Sequence, residues 1–90
     1  LLQLRIESMP DFRPKIKVYS TPTCPYCEML KRYLKEHGFE FEDLDVSKDE
    51  KALREMLDKT GQMGVPVIEI NDKVIVGFNK PEIDKLLGII

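Results

Sequence analysis

Two cysteines, Cys24 and Cys27, stand in a Cys-x-x-Cys pattern, and the chain of 90 residues contains no others. A disulfide between them closes only a very small loop, so it adds little stability through chain entropy. This spacing instead suits thiol–disulfide exchange, in which one thiolate attacks a disulfide and a second thiol releases the product. We predict that Cys24 is the nucleophile and that Cys27 resolves the mixed disulfide.

The segment from Pro25 to Gly38 predicts a helix that begins at the cysteine motif, because Cys27, Leu30 and Leu34 follow helical spacing. Cys24 then falls at or beside the N-cap, where unpaired N–H groups and the positive end of the helix stabilise a thiolate. Pro25 fits the first turn, which has no N–H bond to lose. Cys27 lies one turn further in and is expected to be shielded from solvent.

The residues before this helix predict a strand from Lys15 to Ser20, since polar and apolar residues alternate between Pro14 and Pro22. A second strand is predicted from Phe39 to Val46. Its apolar side chains change face along the strand, which is typical of a strand covered on both sides. The two sets are Phe39 with Phe41, and Leu44 with Val46.

A second helix is predicted to start at Ser47, because Ser47 and Glu50 form the Ser-x-x-Glu capping box. Thr60-Gly61 is expected to end this helix. Its core stripe consists of Leu53, Met56 and Leu57.

Two β-branched runs, Val65–Ile70 and Lys73–Val76, are joined by Asn71-Asp72 and predict an antiparallel hairpin. Asn79 can cap a last helix, which ends at Gly88. The element order is then strand, helix, strand, helix, strand, strand, helix. A right-handed crossover joins the first two strands, so the fold class is α/β with a four-stranded mixed sheet and helices on both faces.

Length and composition indicate one globular domain, at residues 15–90, preceded by an N-terminal extension at residues 1–14 in which Met9 would serve as a start. The net charge of −2 argues against a nucleic-acid partner. No apolar run reaches the length that spans a membrane. We expect a monomer in the reducing cytoplasm.

Two other interpretations of the cysteines are open. Paired cysteines can be ordinary buried thiols, since a free cysteine packs like a small hydrophobic residue. They can also ligate a metal, but structural zinc needs four ligands and His37 stands at the far end of the helix. We therefore predict no metal site and no bound cofactor.

The chain resembles the glutaredoxin family from Lys15 to Leu87, through Cys24-Pro25-Tyr26-Cys27, Gly64-Val65-Pro66 and Gly77. The resemblance implies the thioredoxin fold, disulfide-containing proteins as partners and a cis Val65–Pro66 peptide packed beside the cysteines. It also implies a groove for the substrate or glutathione around Cys24. The groove residues would be Pro25, Tyr26, Val65, Pro66, Gly77, Phe78 and Asn79.

Two departures from the family bear on the reductant. Members that use glutathione as co-substrate typically have a basic residue three positions before the first cysteine, where this chain has Thr21. They also have a double glycine and an acidic residue, where this chain reads Gly77-Phe78-Asn79-Lys80. The Gly-Phe pair resembles redoxins that serve ribonucleotide reductase and are recharged by thioredoxin reductase. Phe78 would then dock a partner, while Asn79 would either cap the helix or contact a ligand.

Some glutaredoxin relatives are not enzymes but hold an iron–sulfur cluster between two protomers, with one cysteine from each and glutathione. Such relatives usually lack a proline after the first cysteine. Pro25 therefore favours the disulfide chemistry over the scaffold, which is kept as a distant alternative.

Overall fold

The computed structural model describes residues 14–89, so the predicted extension, apart from Pro14, lies outside the described residues. The strands are β1 (Ile16–Ser20), β2 (Glu42–Asp45), β3 (Val67–Ile70) and β4 (Lys73–Val76), and the helices are α1 (Pro25–Glu36), α2 (Glu50–Thr60) and α3 (Lys80–Leu87). Among residues 14–89, no helix is both long and apolar enough to cross a membrane.

The strands form one mixed sheet in the order β2-β1-β3-β4. Strand β2 runs parallel to β1, whereas β3 pairs antiparallel with both β1 and β4. The predicted element order and mixed four-stranded sheet are therefore confirmed. Strand β1 is central and leads directly into α1, so the first turn of α1 lies at the end of a strand that is paired on both sides.

Helices cover both faces of the sheet, because alternate side chains of each strand point to opposite sides. On one face, α1 and α3 bury a cluster of Ile16, Val18, Leu30, Leu34, Ile68, Ile70, Ile75 and Ile83. On the other face, α2 packs in a second cluster of Tyr19, Val46, Ala52, Met56 and Val67. Helix α1, which Cys24 caps and which contains Cys27, is thus anchored through Leu30 and Leu34.

The second strand is shorter than predicted, since only Glu42–Asp45 of the segment Phe39–Val46 pairs with β1. This strand lies at the sheet edge and can form ladder bonds only where β1 runs beside it. The predicted change of face is confirmed. Phe39 and Phe41 pack against the first cluster, whereas Leu44 and Val46 belong to the second.

The predicted capping box at Ser47 and Glu50 is wrong. Helix α2 begins at Glu50, and its N-cap is Asp49, whose carboxylate accepts a hydrogen bond from the Ala52 N–H at 3.1 Å. Ser47 instead donates its hydroxyl to the Asp45 carboxylate at 2.5 Å. Both residue types cap helices well. Here Ser47 is hydrogen-bonded to Asp45 in the turn that follows β2, so Asp49 is the residue that caps α2.

The predicted ends of the other elements are close to the observed ones. Helix α1 ends at Glu36, two residues before the predicted stop at Gly38, and the chain turns there with Gly38 at a φ of +78°. Gly61 ends α2 as predicted, at a φ of +69°. Strand β3 begins at Val67 instead of Val65, because Pro66 has no N–H to give to the ladder.

Replacing Ile68 by alanine is expected to destabilise the fold by about 2–5 kcal/mol, a large part of the 5–15 kcal/mol typical of a domain. Ile68 is fully buried in β3 and pairs with Val18 and Ile75. The midpoint of urea unfolding measures the loss. Val76→Ala is the control, since Val76 is 52% exposed and surface changes stay near 0.5 kcal/mol. Equal losses in both variants would contradict this description of the core.

Candidate active site

Cys24 is the N-cap residue of α1, with an extended backbone at φ −102° and ψ 111°. Its sulfur accepts a hydrogen bond from the Cys27 N–H at 3.1 Å, so a sulfur occupies the place of the usual capping oxygen. Pro25 follows in the first turn, as predicted. A thiolate at this position gains from the N–H bond and from the positive end of the helix.

Cys27 is fully buried, whereas Cys24 is partly exposed, and both thiols are free. Burial, and after it the hydrogen bond to Cys24, raise the pKa of the Cys27 thiol to about 12, while the Thr21 backbone and the Lys31 charge act in the opposite direction. The two sulfurs therefore differ strongly in environment. This asymmetry fits an accessible attacking thiol and a protected resolving thiol.

The loop before β3 lies directly against Cys24. The Val65–Pro66 peptide is cis, as the resemblance implies. The Cys24 thiol donates to the Val65 carbonyl at an S···O distance of 3.9 Å. The Gly77 N–H donates to the Pro66 carbonyl at 2.7 Å, which ties the end of β4 to the same loop. The structure thus brings Val65, Pro66 and Gly77 to one place beside the cysteine motif.

The remaining predicted groove residues differ in exposure. Tyr26 is 61% exposed in the first turn of α1. Phe78 is partly buried, and its ring lies 5.7 Å from the Tyr33 ring, between centroids, so much of this side chain supports the core. Asn79 is the N-cap of α3, with its side-chain oxygen 3.5 Å from the Glu82 nitrogen. The capping role of Asn79 is confirmed, and its contact with a ligand stays a prediction.

A polar cluster next to Phe78 was not predicted from the sequence. Asp84 is 7% exposed, accepts a hydrogen bond from the Tyr33 hydroxyl and lies 3.0 Å from the Lys80 ammonium. The Tyr33 hydrogen bond, and then Lys80, hold the pKa of Asp84 below its usual value. The four-residue spacing of Lys80 and Asp84 is the available sequence signal. The cluster joins α3 to α1.

Gln62 was also missed, although it holds the chain just before Val65. Its side-chain oxygen accepts the Gly64 N–H at 2.6 Å, and its side-chain nitrogen donates to the Gly64 carbonyl at 3.1 Å. A Cβ added to Gly64 would lie 2.7 Å from that Gln62 oxygen, so a larger residue at position 64 would displace the Gln62 side chain. Gln62 thereby fixes the backbone that leads to the loop beside Cys24.

Replacing Gln62 by alanine is expected to lower the free energy of unfolding by roughly 1–3 kcal/mol, since two hydrogen bonds at about 0.5–1.5 kcal/mol each are lost. Because the same bonds order the loop beside Cys24, the KM for a disulfide substrate should rise more than kcat falls. Urea unfolding and steady-state kinetics measure the two effects. Gln62→Glu keeps the acceptor for the Gly64 N–H, so its free energy of unfolding should lie between those of Gln62→Ala and the native chain. A larger loss in the glutamate variant would contradict the assigned bonds.

Comparisons with known proteins agree on one family. A family model described as Glutaredoxin matches residues 16–75. A glutaredoxin-like protein of 8.6 kDa from the rubredoxin operon of Clostridium pasteurianum is 54% identical over 72 residues, which cover 80% of this chain and 96% of the relative. Both matches include the cysteine motif and the loop at Val65 and Pro66.

Solved structures match the fold as well. A thioredoxin-like protein superimposes with a TM-score of 0.80 at 34% identity, covering 84% of this chain and 97% of its own. The glutaredoxin-like NrdH-redoxin of Escherichia coli, described as having a thioredoxin-like activity profile, superimposes with a TM-score of 0.70 at 30% identity. The match covers 80% of this chain and 93% of the NrdH-redoxin. The thioredoxin fold expected from the sequence is therefore confirmed.

Proposed function

The chain belongs to the glutaredoxin family, and we propose that it reduces protein or mixed disulfides by a dithiol mechanism. Cys24 is the nucleophile and Cys27 the resolving thiol. The observation that carries this proposal is the position of the Cys24 sulfur, which caps α1 and accepts the Cys27 N–H at 3.1 Å while Cys27 itself is buried.

The reaction has two exchange steps. The Cys24 thiolate attacks one sulfur of the substrate disulfide, so a mixed disulfide forms and the other sulfur leaves as a thiolate. Cys27 then loses its proton and attacks the Cys24 sulfur, which releases the second substrate thiolate. The substrate gains two electrons, and the protein is left with a Cys24–Cys27 disulfide that a reductant must reduce.

The substrate is proposed to lie in the groove between the first turn of α1 and the loop before β3. Tyr26 offers an exposed ring on one side, and the Val65 carbonyl faces the Cys24 sulfur on the other. The hydrogen bond from the Gly77 N–H to the Pro66 carbonyl, at 2.7 Å, holds that loop in place. A substrate protein can therefore present one sulfur of its disulfide to Cys24 while the substrate backbone lies beside the loop at Val65.

Two reductants are proposed as alternatives for recharging the disulfide. Glutathione is the co-substrate that the family resemblance implies. Thioredoxin reductase is the second candidate, with ribonucleotide reductase as an example of an enzyme that would receive the electrons. Thr21 and the pair Gly77-Phe78 favour this second candidate, as does the similarity to the NrdH-redoxin.

A coupled assay of NADPH consumption with a protein disulfide tests the function and separates the reductants. One arm contains glutathione and glutathione reductase, and the other contains thioredoxin reductase. Turnover in either arm supports the proposed oxidoreductase, and the arm that sustains it identifies the reductant. Absence of turnover in both arms, with correctly folded protein, would refute the proposal. Protein inactivated at Cys24 gives the background rate.

A further inference from the structure

Lys31 lies one helical turn after Cys27 on α1, so the two side chains share one face of the helix. The Lys31 side chain is only 15% exposed. Its ammonium lies 3.1 Å from an Asp43 carboxylate oxygen and 3.5 Å from a Glu28 oxygen. A lysine that is this well buried is costly unless it is paired, and the ion pair with Asp43 fixes the ammonium between α1 and β2.

Asp43 is in turn fixed from the sheet. The hydroxyl of Ser20, which is 2% exposed, donates to the second Asp43 oxygen at 2.9 Å. Ser20 and Asp43 lie on the paired strands β1 and β2, and the cavity that they line with Lys31 also includes Thr21. The backbone of Thr21 also acts on Cys27, where it lowers the pKa of the thiol against the effect of burial. Thr21 therefore lies next to the Lys31 cluster and also affects the buried thiol.

We propose that Lys31 is a positioning residue for the resolving step, in which its ammonium, held by Asp43, stabilises the Cys27 thiolate that attacks the mixed disulfide. This inference rests on the proposed function, because the buried Cys27 needs to ionise only if it is the resolving cysteine. The proton lost by Cys27 goes to solvent, and Lys31 stays protonated throughout. Asp43 and Ser20 hold the ammonium in place.

The charges around Lys31 keep it in the cationic form. Burial alone would favour the neutral amine, but the hydrogen bond and charge of Asp43, together with Glu28, raise the pKa of Lys31. The carboxylates that face it are Glu28 on α1 and Asp43 and Asp45 on β2. These carboxylates thus favour the charged form of Lys31, whose charge acts on the pKa of Cys27 in the direction opposite to burial.

A single-turnover reaction with dithiobis-nitrobenzoate, an aromatic disulfide that releases a coloured thiolate, isolates the resolving step. Attack by Cys24 releases the first coloured thiolate, and attack by Cys27 on the mixed disulfide releases the second. Stopped-flow absorbance follows both phases as a function of pH. The variants are Lys31→Met, the conservative Lys31→Arg, and Lys35→Met as a matched control on the exposed end of the same helix.

Lys31→Met should slow the second phase roughly tenfold at neutral pH and move its pH midpoint upward, because an opposite charge on the same helix face favours the thiolate. Lys31→Arg should restore both values, and Lys35→Met should match the native chain. Equal second phases in Lys31→Met and Lys35→Met, or a slower phase without a shift in midpoint, would overturn the inference. A native chain that never releases the second thiolate would instead overturn the proposed function.

Discussion

Cys24→Ser is expected to abolish disulfide reduction, whereas Cys27→Ser is expected to leave the first attack intact and to stop the reaction at a stable mixed disulfide. A serine hydroxyl at position 24 keeps the helix cap but supplies no thiolate to attack sulfur. A serine at position 27 cannot displace the substrate from Cys24. Turnover of a protein disulfide should fall to the background rate in both variants, and mass spectrometry should detect a covalent adduct only in Cys27→Ser.

The matched pair of serine variants separates chemistry from folding. Both substitutions replace sulfur by oxygen, one at the N-cap of α1 and one in its first turn, so their thermal unfolding shows whether either one disturbs the helix. An adduct on Cys24→Ser would reverse the assigned roles. Native-like turnover of Cys24→Ser would rule out the dithiol mechanism.

Brief alkylation of the reduced native chain with iodoacetamide at neutral pH is expected to label Cys24 and leave Cys27 unmodified. Burial raises the pKa of Cys27 from 9.0 to about 12. Since each pKa unit is a tenfold change in ionisation, its thiolate fraction at neutral pH falls about 1000-fold. Peptide mass mapping measures the label at each cysteine. After unfolding in urea, both cysteines should be labelled at similar rates.

Equal labelling of both cysteines in the native state would show that Cys27 is accessible and ionised, contrary to the structure.

The raised pKa of Cys27 also affects the stability of the fold at alkaline pH. Above about pH 9 the unfolded chain loses the Cys27 proton while the folded chain retains it. The contribution of Cys27 to stability is therefore fully present below that pH and is lost as the pH rises toward 12. Urea midpoints measured across this range should fall more for the native chain than for Cys27→Ser.

The sequence by itself determined the features that depend on neighbouring residues. The apolar spacing after Cys24 predicts α1, and the position of Cys24 before Pro25 predicts a cysteine at the N-cap. Alternation in β1 and the turn at Asn71-Asp72 predict the strands and the hairpin. These signals are local, because a helical turn or a hairpin joins residues only a few positions apart, and the pattern of apolar residues records them directly.

Prediction of element ends was weaker because neighbouring residues competed for the same role. Ser47 and Asp49 are both suitable N-cap residues. In the turn that follows β2, Ser47 donates a hydrogen bond to Asp45 instead, and Asp49 caps the helix. The length of β2 likewise depends on where β1 runs beside it. Such choices are made by the backbone path between elements and are not visible in the local sequence.

The tertiary structure alone decided what surrounds the two sulfurs. The Val65 carbonyl reaches Cys24 across 41 positions of the chain, and Asp43 reaches Lys31 across 12. Full burial of Cys27 also requires the sheet and α1 to pack together. These contacts join residues that are distant in sequence, and side-chain packing selects them only after the sheet has formed. The sequence therefore determined which residues are candidates for the chemistry, and the fold decided how far the surroundings of the two sulfurs differ.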